Sequence, residues 1–161
     1  MEVEMKIRGL MVDPSTNMPI VILKDVHGDS LLPIWLGLYE ANAIALEIEK
    51  ATPPRPMTHD LLKNLIHGLN AHVERIVVTE LKDDTFYAVI WMDQGGESIS
   101  MDARPSDALA LALRSDCPIY VSEDVLRAAK LGPNPADSAS AEEQRRWLEN
   151  LNDEDLGHYK M

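Results

Sequence analysis

Glu97-Ser98-Ile99-Ser100-Met101-Asp102-Ala103, Arg104-Pro105-Ser106-Asp107 and Ala108-Leu109-Ala110-Leu111-Ala112-Leu113 follow one another without a break. The first block reads as a strand. The last is apolar nearly all round, which marks a helix that is buried rather than one that lies half in solvent. Between them Pro105 stops the helix from growing backwards, and the Ser106 hydroxyl is expected to cap its free N–H groups. Asp107 suits the positive end of the helix dipole. A strand that passes straight into a buried helix points to a domain in which sheet and helix share a core.

Upstream, Val73 to Leu81 and Phe86 to Met92 read as strands that make a meander with residues 97–103, turning at Asp83-Asp84 and Gln94-Gly95-Gly96. Further back, Arg55-Pro56-Met57-Thr58-His59-Asp60 is a second version of the Arg-Pro phrase, again before an apolar, helix-like run. Thr58 is expected to cap and open that helix, which runs to about Leu69. Leu61, Leu62, Leu65, Ile66 and Leu69 are its expected core stripe. Glu40 to Ala51 is helical, with Ala41, Ile44, Ala45 and Ile48 on one face. Glu2 to Val12, Pro19 to Val26 and Leu31 to Leu36 read as strands. Pro118 to Val121 is a short strand, and Ser122 to Lys130 a helix. The order β-β-β-α-α-β-β-β-α-β-α predicts an α+β fold, a single domain over residues 1–130 with a mainly antiparallel or mixed sheet and about four helices. Residues 131–161 differ in character. Gly132-Pro133-Asn134-Pro135-Ala136 reads as a linker, and Ser140-Ala141-Glu142-Glu143 as a capping box opening a short helix through Trp147 in an acidic tail.

The chain has 161 residues, 45% of them hydrophobic, which suits one globular core without a metal or disulfide staple. Cys117 is its single cysteine, so no intramolecular disulfide forms and a reducing compartment is expected. MEVEMKIRGL lacks the basic and apolar regions of a signal peptide, and no apolar run approaches the roughly 20 residues of a membrane span. The expected location is the cytoplasm, with no membrane association. The net charge is −12, from 15 Lys and Arg against 27 Asp and Glu. A nucleic-acid binder ordinarily presents a basic face, so this balance argues against tight non-specific binding of long duplexes. It leaves room for a small site where a few arginines converge.

No phosphate-binding glycine loop, dinucleotide fingerprint, His-Glu-x-x-His, Cys-x-x-Cys or Gly-x-Ser-x-Gly is present. The two Arg-Pro phrases remain. Helix N-termini offer free N–H groups and partial positive charge to an anion, and guanidinium binds phosphate through two parallel hydrogen bonds. Arg55 and Arg104 are therefore candidate phosphate ligands, with Thr58 and Ser106 either beside them or acting as plain helix caps. His59 is a candidate general base, or a locally bonded structural histidine. Asp60, Asp102 and Asp107 would orient these groups, hold a divalent cation or stabilise the helices. Glu40, following Gly37, reads as a dipole partner of its own helix.

Leu32-Pro33-Ile34-Trp35-Leu36-Gly37 with Glu40-Ala41, then Arg55 to Leu62, then Asp102 to Ala108 with Ala110 to Arg114, resembles the bifunctional nuclease domain of bacteria and plants. The resemblance runs from about residue 1 to 130. It implies a compact α+β domain, often a homo-oligomer, to which DNase and RNase activity are attributed. On that footing the expected function is a nuclease of low sequence specificity acting on DNA and RNA. His59, Asp60, Asp102 and Asp107 are its catalytic candidates, and Arg55, Arg104, Thr58 and Ser106 would bind substrate, with Mg2+ or Mn2+ as the candidate metal. The alternative is a non-catalytic module that recognises an anionic ligand or a partner protein through the same Arg and Asp cluster.

Overall fold

The computed structural model describes residues 1–131. The helix expected from Ser140 and the acidic tail lie outside the described residues. The elements are β1 (Glu2–Val12), β2 (Pro19–Asp25), β3 (Leu31–Trp35), α1 (Leu38–Ile48), α2 (Thr58–Gly68), β4 (Ala71–Lys82), β5 (Thr85–Gln94), β6 (Glu97–Ala103), α3 (Pro105–Ser115), β7 (Ile119–Ser122) and α4 (Glu123–Leu131). Their order is the one the sequence predicts, and the fold is α+β.

The seven strands form one mixed sheet in the order β3-β2-β1-β7-β4-β5-β6. Two antiparallel meanders, β1-β2-β3 and β4-β5-β6, are joined by the short β7, which pairs antiparallel with β1 and parallel with β4. Local turn chemistry explains each meander. Asp83 and Asp84 both take positive φ, as a tight two-residue hairpin demands, and Gly95 and Gly96 do the same in the next turn. The parallel β4–β7 contact needs the α3 crossover, which brings the chain back from the far edge to the middle of the sheet.

The helices cover one sheet face. Ala41 and Ile44 of α1, Ala108 to Ala112 of α3 and Val125 and Leu126 of α4 join Leu10, Val21, Leu23, Ile76, Val78, Ala88 and Ile90 in a single core. Met11, Ile20 and Ile22 form a smaller cluster on the reverse face with Leu31 and Trp35. The Trp35 indole N–H donates to Asp13 at 2.9 Å, and Ser15 donates to the same carboxylate through its backbone N–H and its hydroxyl. Burial alone would raise the Asp13 pKa; these donors outweigh it and hold the carboxyl at about 2.

α3 is the central helix and is apolar on nearly all sides, as its alternating Ala and Leu predict. α2 departs from expectation. Its inward stripe is His59, Lys63 and Ile66, whereas Leu61, Leu62, Leu65 and Leu69 face outward and are exposed. Polar contacts from its first turn to α3 fix its rotation, so its leucine face is turned away from the domain core.

Candidate functional site

The two Arg-Pro phrases begin α2 and α3, but not through the caps their hydroxyl residues suggest. The N-cap of α2 is Met57 and that of α3 is Arg104, and neither makes a side-chain capping bond. Pro105 takes the first helical position, where its missing N–H costs nothing, which moves the cap back to Arg104. Thr58 is then the exposed first residue of α2, and Ser106 the buried second residue of α3. With Gly37 as the N-cap of α1, Glu40, Asp60 and Asp107 all occupy the third position of their helices. A carboxylate there lies beside the free N–H groups of the first turn and favours the positive dipole end. Asp60 uses one oxygen in that way, accepting the Met57 backbone N–H at 2.9 Å.

These first turns meet. The His59 Nε2–H donates to Asp107 Oδ1 at 3.0 Å, joining α2 to α3. Arg104 donates to the other Asp107 oxygen, through Nε at 3.0 Å and Nη2 at 2.9 Å. Its Nη2 also lies 3.0 Å from Glu40 Oε1, joining α3 to α1. The result is a continuous chain His59–Asp107–Arg104–Glu40. Its inner end is buried, with His59 8% exposed, and its outer end opens to solvent at Arg104, whose side chain is 66% exposed. Hydrogen bonding and charge from Asp107, with a contribution from Glu40, raise the Arg104 pKa, so the guanidinium is held firmly cationic. Gly37 makes room for this arrangement. A Cβ there would stand 2.3 Å from Glu40 Oε2.

A second ion pair locks the same three helices from below. Arg114, in the last turn of α3, donates to Asp60 Oδ1 at 2.7 Å and to the backbone oxygens of Ala110 at 2.9 Å and Ala43 at 3.1 Å. Burial alone would raise Asp60; the Met57 N–H, the Arg114 hydrogen bond and the Arg114 charge outweigh it and lower its pKa. Composition and local motif did not separate Arg114 from an ordinary helix-end cation. Its seven-residue spacing from Asp107, two turns along one face, is the signal that pairs the two with neighbouring residues of α2.

The remaining candidates lie apart. Asp102 pairs in register with Val89, between Met101 opposite Ile90 and Ala103 opposite Ala88. Alternation therefore sets it on the reverse sheet face from the helices, and among the described residues it forms no ion pair with Arg104. Arg55 is exposed, with no ion pair among the described residues. Cys117 is half-buried, and burial, with Asp116 adding to it, pushes its thiol up to about 11, so it remains protonated near neutrality.

Both aspartates of the helix cluster have both oxygens engaged, Asp60 by Met57 and Arg114 and Asp107 by His59 and Arg104, and Glu40 is paired with Arg104 through Oε1. This donor set does not fit Mg2+ or Mn2+, which would have to displace an arginine to bind. Three potential ligand atoms do converge elsewhere. Those of His72, Glu74 and Asp93 lie within 4.8 Å of one another on exposed strand surface. Glu74 is the unpaired residue of a β-bulge between Val73 and Arg75.

With this geometry in view, the comparisons with known proteins are direct. Residues 21–134 match the model of the bifunctional nuclease domain, a span that contains all three helix starts. The chain belongs to the bifunctional nuclease domain family. An uncharacterized protein of Mycobacterium tuberculosis is 44% identical over 128 residues, covering 80% of this chain and 76% of that protein. The bifunctional nuclease of Oryza minuta is 26% identical over 141 residues, covering 84% of this chain and 43% of its own length. Bifunctional nuclease 1 of Arabidopsis thaliana is 27% identical over 109 residues, or 65% of this chain and 34% of its own length. This chain thus spans less than half of those plant relatives. Among the described residues no helix is long and apolar enough to cross a membrane.

Proposed function

We propose that this protein is a nuclease of low sequence specificity that hydrolyses phosphodiester bonds in DNA and RNA, acting in the cytoplasm as a homo-oligomer. The observation that carries the reading is the chain His59–Asp107–Arg104–Glu40, in a family whose plant members are named for nuclease activity. Asp107 accepts the Nε2–H of His59 and leaves Nδ1 as the nitrogen that takes a proton. Water attacks phosphorus as its proton passes to His59, the P–O bond to the departing sugar oxygen breaks, that oxygen takes a proton from solvent, and His59 then returns its own proton to solvent. Arg104, preset by two carboxylates and open to solvent, stabilises the charge that builds on the non-bridging oxygens. Arg55 adds a second cation from the exposed segment before α2. Asp60 acts through its hold on Met57 and Arg114, and Thr58 and Ser106 lie in the first turns that the phosphate approaches. Asp102 takes no step. Neither does a metal, because the cluster's carboxylates are already paired.

One observation favours a second reading, a non-catalytic module for an anionic ligand or partner protein. His59 is nearly buried, and the Asp107 oxygens are both engaged, as they would be in a purely structural network. The Asp107→Asn variant separates the two. Under the nuclease reading, cleavage of single-stranded oligonucleotides falls about 100-fold or more in kcat with KM little changed. A wild type that binds oligonucleotides and never cleaves them supports the second reading.

A further inference from the structure

The leucine face of α2 departs from ordinary burial along its whole length. Leu61, Leu65 and Leu69 are 61%, 56% and 59% exposed, and Leu62 is 38% exposed beside them. Met57 extends the strip at the N-terminal end, at 45%. Single exposed apolar residues are commonplace, but a continuous strip along one helix marks an interaction surface. We infer that this face pairs with the same face of a second copy of this chain, α2 against α2 across a two-fold axis.

Charge selects the occupant. The protein carries a net charge of −12, so two copies repel over most of their surfaces. Leu61 to Val73 is the longest run in the chain without Asp or Glu. On the outward face of α2 the acidic surface is interrupted, and the one charged residue between Leu61 and Leu69 is Lys63, which is turned inward and half-buried. A polyanion gains nothing from a surface without cations, and a basic partner gains nothing from one without acids. An identical neutral leucine strip fits it.

The spacing is also self-complementary. Leu61 and Leu69 each lie four residues from Leu65, on opposite sides. A two-fold axis at Leu65 sets Leu61 of one copy against Leu69 of the other in antiparallel register, as an isologous interface requires. Gly68 adds a gap in the same turn, where a Cβ would meet nothing within 4 Å and a leucine from the second copy has room to seat. This inference deepens the oligomeric part of the proposed reading by naming its surface, and it stands apart from the catalytic part.

The test is the mass of the full 161-residue chain by light scattering after size-exclusion chromatography, at tens of micromolar protein. Wild type is expected at twice the 18.0 kDa of one chain, and the Leu61→Lys/Leu65→Lys variant at half the wild-type mass with an unchanged far-UV circular dichroism spectrum. A Leu65→Cys variant in a Cys117→Ser background is expected to form an intermolecular disulfide under mild oxidation, because the axis brings the two copies of residue 65 together. This second readout holds even if the double lysine variant fails to fold. A monomeric wild type overturns the inference, whether the leucines are then covered by the chain's own residues 132–161 or by another protein. A dimer whose mass survives the lysines in a folded variant, or that gives no cross-link at residue 65, overturns it equally.

Discussion

Arg114 contributes nothing to the exposed end of the site, yet it holds three helices at once. Its side chain is 3% exposed and its main ionic partner, Asp60, lies on the helix that carries His59. Removing one member of a buried pair strands the other charge, which costs more than the pair itself contributes. Arg114→Met is expected to destabilise the fold by about 2 kcal/mol in urea denaturation, less than a fully buried pair because Asp60 is 25% exposed and keeps the Met57 N–H. Asp60→Asn/Arg114→Met is expected to recover part of that loss. Gly37→Ala acts differently. The backbone at Gly37 is extended with φ −72°, which alanine adopts freely, and the atom its Cβ meets is the mobile end of Glu40. The expected result is a folded protein with little change in Tm. Glu40 is displaced from Arg104, and KM for oligonucleotide rises while kcat holds. A large loss of Tm would show that the segment before α1 is more rigid than this account allows.

Helices and strands were largely legible in the sequence, because turn residues and proline mark where each begins and ends. β6 spans Glu97 to Ala103 as its pattern indicates, and α3 is buried as its composition requires. What periodicity cannot report is where an apolar face points. α2 has a clear leucine stripe, and a rule that sends such stripes to the chain's own core fails there, because His59 and Asp60 anchor the helix by polar contacts and turn the leucines outward. The place of β7 between β1 and β4 was equally hidden, since a four-residue strand carries no mark of its neighbours. The site was legible in part. The repeated phrase contains His59, Arg104 and Asp107, which the structure brings into contact, whereas Arg114 and the Arg104–Glu40 link depend on three helices meeting, a relation between segments far apart in sequence. Asp102 shows the converse, since closeness to Arg104 in sequence did not put it on the same side of the sheet.

For the molecule as a whole, two carboxylates among the described residues contribute to the response to acid. Asp13 is held near 2 and Asp60 below its usual value, in each case because donated hydrogen bonds outweigh burial. Both folded-state values lie below the 3.8 of a free aspartate, so the unfolded chain binds more protons as pH falls. Their stabilisation is complete above about pH 4 and is lost as pH drops through the folded-state values, with Asp13 contributing about 2 kcal/mol. Tm measured from pH 7 down to pH 2 is expected to hold and then fall steeply below about pH 4, and Asp13→Asn to flatten that fall. An acid limb unchanged in the variant would remove Asp13 from the account. Under the proposed reading the −12 charge also bears on function, since a molecule this acidic would gather few phosphates and would rely on a small cationic site to hold a strand.

The most direct test of that site is the hydrolysis of single-stranded DNA and RNA by His59→Ala and Arg104→Ala beside wild type. All three proteins should be purified alike and checked for folding by circular dichroism. The expected result is cleavage of both substrates by wild type and a loss of about 100-fold or more in each variant, the scale of a missing proton-transfer group or charge stabiliser. Equal cleavage by wild type and folded variants would contradict the account, since the chain His59–Asp107–Arg104–Glu40 would then be structural and the hydrolysis would come from elsewhere.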